Sequence, residues 1–127
     1  IKRKENNPQL MSAIINLSSV ASQMQIDKVI QYSAAKAFDN VHSKLMSYEL
    51  KKEIDIISVK PMYVATPLSK VKPNWYHNIT PENCCKSVLS LLGHDTETYG
   101  AFRHEWQAKL ILILPNILLN RFGININ

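Results

Sequence analysis

The chain has 127 residues, 46% of them hydrophobic, which is enough for one modest core and shows no disordered, collagen-like or low-complexity bias. Its net charge of +5 is scattered apart from Lys2, Arg3 and Lys4, and no aromatic ladder accompanies it, so the charge reads as a solvated face, with adhesion to anionic lipid ranked above nucleic-acid binding. Cys84 and Cys85 are adjacent and ill-suited to a disulfide with each other, so no disulfide framework is expected and a reducing compartment fits.

The chain opens on Ile1 rather than Met, which points to a processed start or a piece of something longer, and we favour the piece. Lys2 to Gln9 is polar, and no signal peptide is expected there. Ala13 to Leu17 is a short apolar run that suits a buried strand, with Ser18 and Ser19 at its carboxyl end. From Ile30 to Lys51, Ala34, Phe38, Val41, Leu45 and Tyr48 recur at spacings of three and four, which predicts a helix. Ile54 to Val59 is again short, β-branched and apolar, and Lys60-Pro61 closes it. Strand, helix, strand in this order is a βαβ unit with a parallel pair, so the class is α/β.

The loop from Pro67 to Asn78 carries Trp75 and Tyr76, which serve either as part of a substrate lid or as local packing. Thr80-Pro81-Glu82 combines a cap, a proline at the first helical position and an acid in the first turn, and Gly93 ends the helix they start. Thr98 to Trp106 has room for a short strand. Ala108 to Leu119 is apolar but broken by Pro115 and Asn116, too short for a confident span. The tail over 108–121 either packs into a core, lines an acyl pocket or lies in a membrane interface beside Lys109 and Arg121. His42, His77, His94 and His104 have no ligand spacing, so no metal site is expected.

Tyr32 and Lys36 are four apart on the predicted helix and share a face. An ammonium near a phenol favours the phenolate, drawing a pKa of about 10 towards the range where tyrosine exchanges a proton with a carbonyl or alcohol. Ser19, at the end of the preceding strand, is placed to hydrogen-bond the same oxygen. Ligands in open α/β sheets bind beyond the carboxyl ends of strands, where Ser19 and the segment after Val59 both lie.

Asn16-Leu17-Ser18-Ser19 followed by Tyr32-Ser33-Ala34-Ala35-Lys36 resembles the Asn-x-Ser-Ser and Tyr-x-x-x-Lys motifs of the short-chain dehydrogenase/reductases, in the same order and separation. Pro61-Met62-Tyr63-Val64-Ala65-Thr66 resembles that family's segment after the next strand. The resemblance implies the carboxyl-terminal half of a Rossmann-type, doubly wound parallel sheet, as one partial domain over 1–127. It implies catalytic roles for Tyr32 as acid/base, Lys36 as its electrostatic partner and a holder of the nicotinamide ribose, and Ser19 as orienter of the substrate oxygen. Ser19 and Tyr32 then bind substrate, while Tyr32, Lys36, Pro61, Val64 and Thr66 face the cofactor, NADPH in preference to NADH. Pro-x-x-Val-Ala-Thr, in place of the usual Pro-Gly, is similar to the very-long-chain 3-oxoacyl-CoA reductases and related 17-beta-hydroxysteroid dehydrogenases. That likeness implies reduction of a 3-oxoacyl-CoA in fatty acid elongation, or of a steroid ketone, at the cytosolic face of the endoplasmic reticulum membrane. It also implies a homodimer through the Tyr32 helix.

Two departures bear on activity. The family's glycine-rich fingerprint and catalytic asparagine lie upstream of the serine, and neither has room before Ala13, so the nucleotide-binding half is expected to be absent and one edge of the first strand to be left unpaired. Ser22 stands where glycine is common, which narrows the substrate mouth. The rival reading is a non-enzymatic remnant or structural subunit that keeps the motifs by descent.

Overall fold

A computed structural model describes residues 12–24, 26, 28–51, 53–74 and 78–113. Three parallel strands run side by side in the order β1 (Ala13–Leu17), β2 (Asp55–Val59), β3 (Glu97–Thr98). Between them lie α1 (Ile30–Leu50) and α2 (Pro81–Ser90), and α3 (Phe102–Ile113) follows. The fold is therefore α/β, two βαβ units sharing the central strand. Ala13 stands opposite Asp55 and Leu17 opposite Val59, and the ladder runs one residue further at the carboxyl end, where Ser18 N–H donates to the Val59 carbonyl at 2.7 Å and Lys60 N–H to that of Thr98 at 2.7 Å.

Alternation along β2 sends its two faces to different helices. Ser58 points towards α1, where its hydroxyl donates to Asn40 Oδ1 at 2.8 Å. Ile57 and Val59 point the other way, into a cluster with Ile79, Cys84 and Val88. Helices on both faces of a parallel sheet make the sheet doubly wound, as the family resemblance implied.

The α1 helix is present at the expected place, but the stripe that revealed it is not the face it buries. Phe38, Val41, Leu45 and Tyr48 are exposed, while Asn40, Ser43 and Ser47 are buried against the sheet. Small polar residues let the helix approach closely, and each hydroxyl finds a partner: Asn16 Nδ2 donates to Ser43 Oγ at 2.9 Å and Ser43 Oγ to the Asp39 carbonyl at 2.6 Å. Thr80 caps α2 through its side chain, which accepts from Asn83 N–H, with Pro81 at the first position. Gly93, at φ +78, lies just beyond its end.

The strand expected between Thr98 and Trp106 is only Glu97–Thr98; the chain turns at Gly100 and becomes helical from Phe102. Ala108 is needed by a second cluster with Val20 and Met24, and a helix brings it there with His104, four residues before it, also buried. Among the described residues no helix is long and apolar enough to cross a membrane, and no group of side chains is arranged to hold a metal ion. Trp75 and Tyr76, and the tail beyond Ile113, lie outside the described residues.

Candidate active site

Ser19 ends the extended segment after β1 and caps a 3-10 turn, Val20–Gln23, its Oγ accepting from Ala21 N–H at 3.2 Å. A hydroxyl that accepts there keeps its own proton for donation elsewhere. The turn is anchored to the segment after β2, because Val20 N–H donates to the Pro61 carbonyl at 3.2 Å.

Helix α1 meets this turn at Lys36. Ser18 Oγ donates to the Lys36 carbonyl at 2.6 Å, and Lys36 Nζ donates back to the Leu17 carbonyl at 2.7 Å and to Asp39 Oδ2 at 3.0 Å. The two motifs are thus joined reciprocally, each giving one hydrogen bond and taking one. Tyr32, one turn earlier on the same face, is 49% exposed. Ser22 Oγ, inside the turn, and Ser33 Oγ, inside the Tyr32–Lys36 motif, are buried hydroxyls without a protein partner. Burying such groups costs free energy.

Pro61 joins the site through Val20. Val64 and Thr66 lie on the strand-like return that follows, where Val64 bridges Ile79 and Ala65 N–H donates to the Ile79 carbonyl at 2.8 Å. The Thr66 hydroxyl is engaged within this loop: its Oγ1 accepts from Ser69 N–H at 3.2 Å, while Ser69 Oγ reaches the Val64 carbonyl at 2.6 Å.

A charged group that the sequence reading missed sits beside these loops. Lys60, at the end of β2, is fully buried, with Nζ 2.9 Å from Glu97 Oε2 and 4.7 Å from the centre of the Tyr99 ring; Lys44 of α1 reaches the same carboxylate oxygen at 2.6 Å. Burial pushes the Glu97 carboxyl up, but the hydrogen bonds and charges of Lys44 and Lys60 outweigh it and hold it below its ordinary value. Burial, then the Glu97 charge, pushes the Tyr99 phenol up, so it stays a donor, and its Oη gives a 2.8 Å hydrogen bond to Gln23 Oε1. The signal available was a lone lysine closing an apolar strand, which reads as a strand stop. Behind these groups Cys84 is buried, its thiol pushed up by desolvation and so unreactive at neutral pH.

The family described as short chain dehydrogenase matches residues 8–77, more than half of the chain. The chain belongs to the short-chain dehydrogenase family. It is 34% identical over 103 residues to a very-long-chain 3-oxoacyl-CoA reductase of Anas platyrhynchos, covering 80% of this chain and 33% of that protein. The Bos taurus reductase of the same name is 35% identical over 107 residues, covering 84% of this chain and 34% of the relative. The chain thus spans about a third of the length of these curated relatives. Two solved structures share the fold: a short-chain dehydrogenase from Burkholderia cenocepacia in complex with NADP, at TM-score 0.71 and 24% identity over 94% of this chain and 51% of that one, and a 7beta-hydroxysteroid dehydrogenase, at TM-score 0.72 and 20% identity over 96% and 50%.

Beside the serine turn the Lys36 ammonium spends two of its three donors on Leu17 and Asp39 and keeps one for a polar ligand such as a ribose. A pyrophosphate cradle at a helix amino terminus is not among the described elements.

Proposed function

We propose that this short-chain dehydrogenase chain carries the proton-transfer half of an NADPH-dependent reductase acting on a 3-oxoacyl-CoA. The observation that supports the reading is the pair of hydrogen bonds that ties Leu17-Ser18 to Lys36, one in each direction, at the carboxyl end of β1. The names of the relatives supply the substrate class.

In this reading Ser19 Oγ–H and Tyr32 Oη–H both donate to the ketone oxygen, polarising its carbonyl and fixing its plane. Tyr32 then gives up its proton to the forming alkoxide, and the Lys36 ammonium, one turn along the helix, stabilises the phenolate left behind. The Leu17 carbonyl and the Asp39 carboxylate hold Lys36 in place, so its charge is oriented before substrate arrives. When bound, the nicotinamide supplies the hydride. Pro61, Val64 and Thr66 flank its ring through backbone groups. The exposed apolar face of α1 supports pairing with a second copy, and the apolar residues of α3 that face outward, Leu110 and Ile113 among them, support contact with the endoplasmic reticulum membrane surface.

The test is a Tyr32→Phe change in the native protein, assayed for NADPH oxidation with a long-chain 3-oxoacyl-CoA. Loss of a positioned general acid lowers kcat by about a hundredfold or more while the circular dichroism stays unchanged. Undiminished turnover removes Tyr32 from the chemistry, and absence of turnover in the unmodified protein favours the remnant reading.

A further inference from the structure

Resting on that reading, we infer that Tyr99, held over buried Lys60, is a positioning residue that fixes the Ser19 turn through Gln23. Among the described residues, three hydrogen-bonded tethers hold the turn and the serines before it. Two come from the motif segments themselves, the Ser18–Lys36 lock and the Val20–Pro61 hydrogen bond. The third comes from elsewhere in the chain: Tyr99 Oη reaches Gln23, the last residue of the turn, across 76 positions of sequence.

A cation beneath an aromatic ring explains how that third tether is aimed. Lys60 is buried at a cost that a methionine of similar length would avoid. What the ammonium adds is directionality, since it seeks the face of the ring rather than its edge. With Nζ 4.7 Å from the ring centre and pinned on its other side by Glu97, it sets the plane of Tyr99 and therefore the direction of its hydroxyl. Lys44 balances the carboxylate from α1, so the helix bearing Tyr32 and Lys36 is tied into the same group. Close by, His104 Nδ1 lies 3.3 Å from both the Tyr99 carbonyl and Met62 N, and its tautomer sets which one it pairs with: as a donor the carbonyl, as an acceptor the Met62 N–H. The Ser19 turn and, through Lys60, Glu97 and Lys44, helix α1 are thereby referred to one tyrosine.

Tyr99→Phe and Gln23→Leu each remove the third tether with little change of volume, and Gln23→Glu keeps an acceptor for the phenol. Measured in the native protein, kcat with 3-oxoacyl-CoA falls about five- to tenfold in the first two, the loss of one hydrogen bond, with KM for NADPH unchanged. The double variant loses no more than either single one, and Gln23→Glu stays near the unmodified rate. Hydrogen exchange at the Ser22 and Met24 amides, which close the turn, accelerates in Tyr99→Phe while that of β2 does not. Unchanged kcat in both variants overturns the inference, as do a loss that Gln23→Glu fails to restore and an acceleration shared with β2. Should the unmodified protein show no reduction, the functional reading fails and the exchange data alone decide: selective acceleration at the turn supports the tether, and none refutes it.

Discussion

Strands β1 and β2 are each five residues long, both apolar in character, and paired in register, yet they live in different environments. Every residue of β2 from Ile56 to Val59 is buried, because α1 covers one face and α2 the other. In β1 the alternate residues Ala13, Ile15 and Leu17 are exposed, Leu17 to 63%, and among the described residues only β2 pairs with it. The difference teaches that an apolar run announces a strand but not its cover. Helix α1 repeats the lesson, with an apolar outer face and a polar inner one, so that in this part of the molecule hydrogen bonds rather than oil hold the helix to the sheet.

The sharpest way to break this comparison is to truncate equivalent side chains. Ile57→Ala is expected to cost about 2–5 kcal/mol in urea unfolding, the usual range for a buried cavity. Ile15→Ala, 40% exposed, should cost well under half as much. Equal losses would mean that the exposed face of β1 is covered in the native protein, and a loss that depends on protein concentration would point to a second copy. Gly100→Ala comes next, at about 1–3 kcal/mol, because its φ is +77 and a Cβ would sit 2.8 Å from Cys84 Sγ. Adding Cys84→Ala should recover the part due to the contact and leave the part due to backbone strain.

Ser58→Ala probes the inner face of α1. It strips the buried Asn40 Oδ1 of its donor and should cost about 1–3 kcal/mol, whereas Leu45→Ser on the outer face should stay within about 0.5 kcal/mol in the monomer. If the ranking reverses, the apolar stripe is the buried one and the helix sits the other way round.

Much of this was readable beforehand, and what escaped has a common cause. The bounds of β1, the length of α1 and the Thr80-Pro81 start of α2 follow from local rules, which a sequence displays directly. Ser19, Tyr32 and Lys36 were singled out by the likeness of their ordered motifs to those of the family, and the Tyr32→Phe assay is what tests their roles. Which face of α1 turns inward was not, since Asn40, Ser43 and Ser47 look like a solvated face until Asn16 and Ser58 are placed opposite them. Lys60 was hidden for the same reason: a lysine is assigned to solvent unless its anion is known, and Glu97 lies 37 positions away. The short β3 and the helix after it turned on Ala108 finding Val20 and Met24, a contact that no local pattern contains.

The smallest expected effect is a pH dependence that isolates the Lys60 group from the rest of the core. The Glu97 carboxyl is held below its ordinary value in the folded protein, so unfolding raises its proton affinity. Its contribution is therefore fully present above the unfolded value, about 4.5, and is lost as pH falls through the lower folded value. Urea midpoints should accordingly decline on acidification below that point. In Glu97→Gln the midpoint should already be lower at neutral pH, because buried Lys60 keeps no carboxylate, and the acid decline should be shallower, so that the two curves approach one another at low pH. Curves that stay parallel throughout would show that Glu97 is not the anion Lys60 depends on, and with it the account of how the Tyr99 ring is aimed would lose its support.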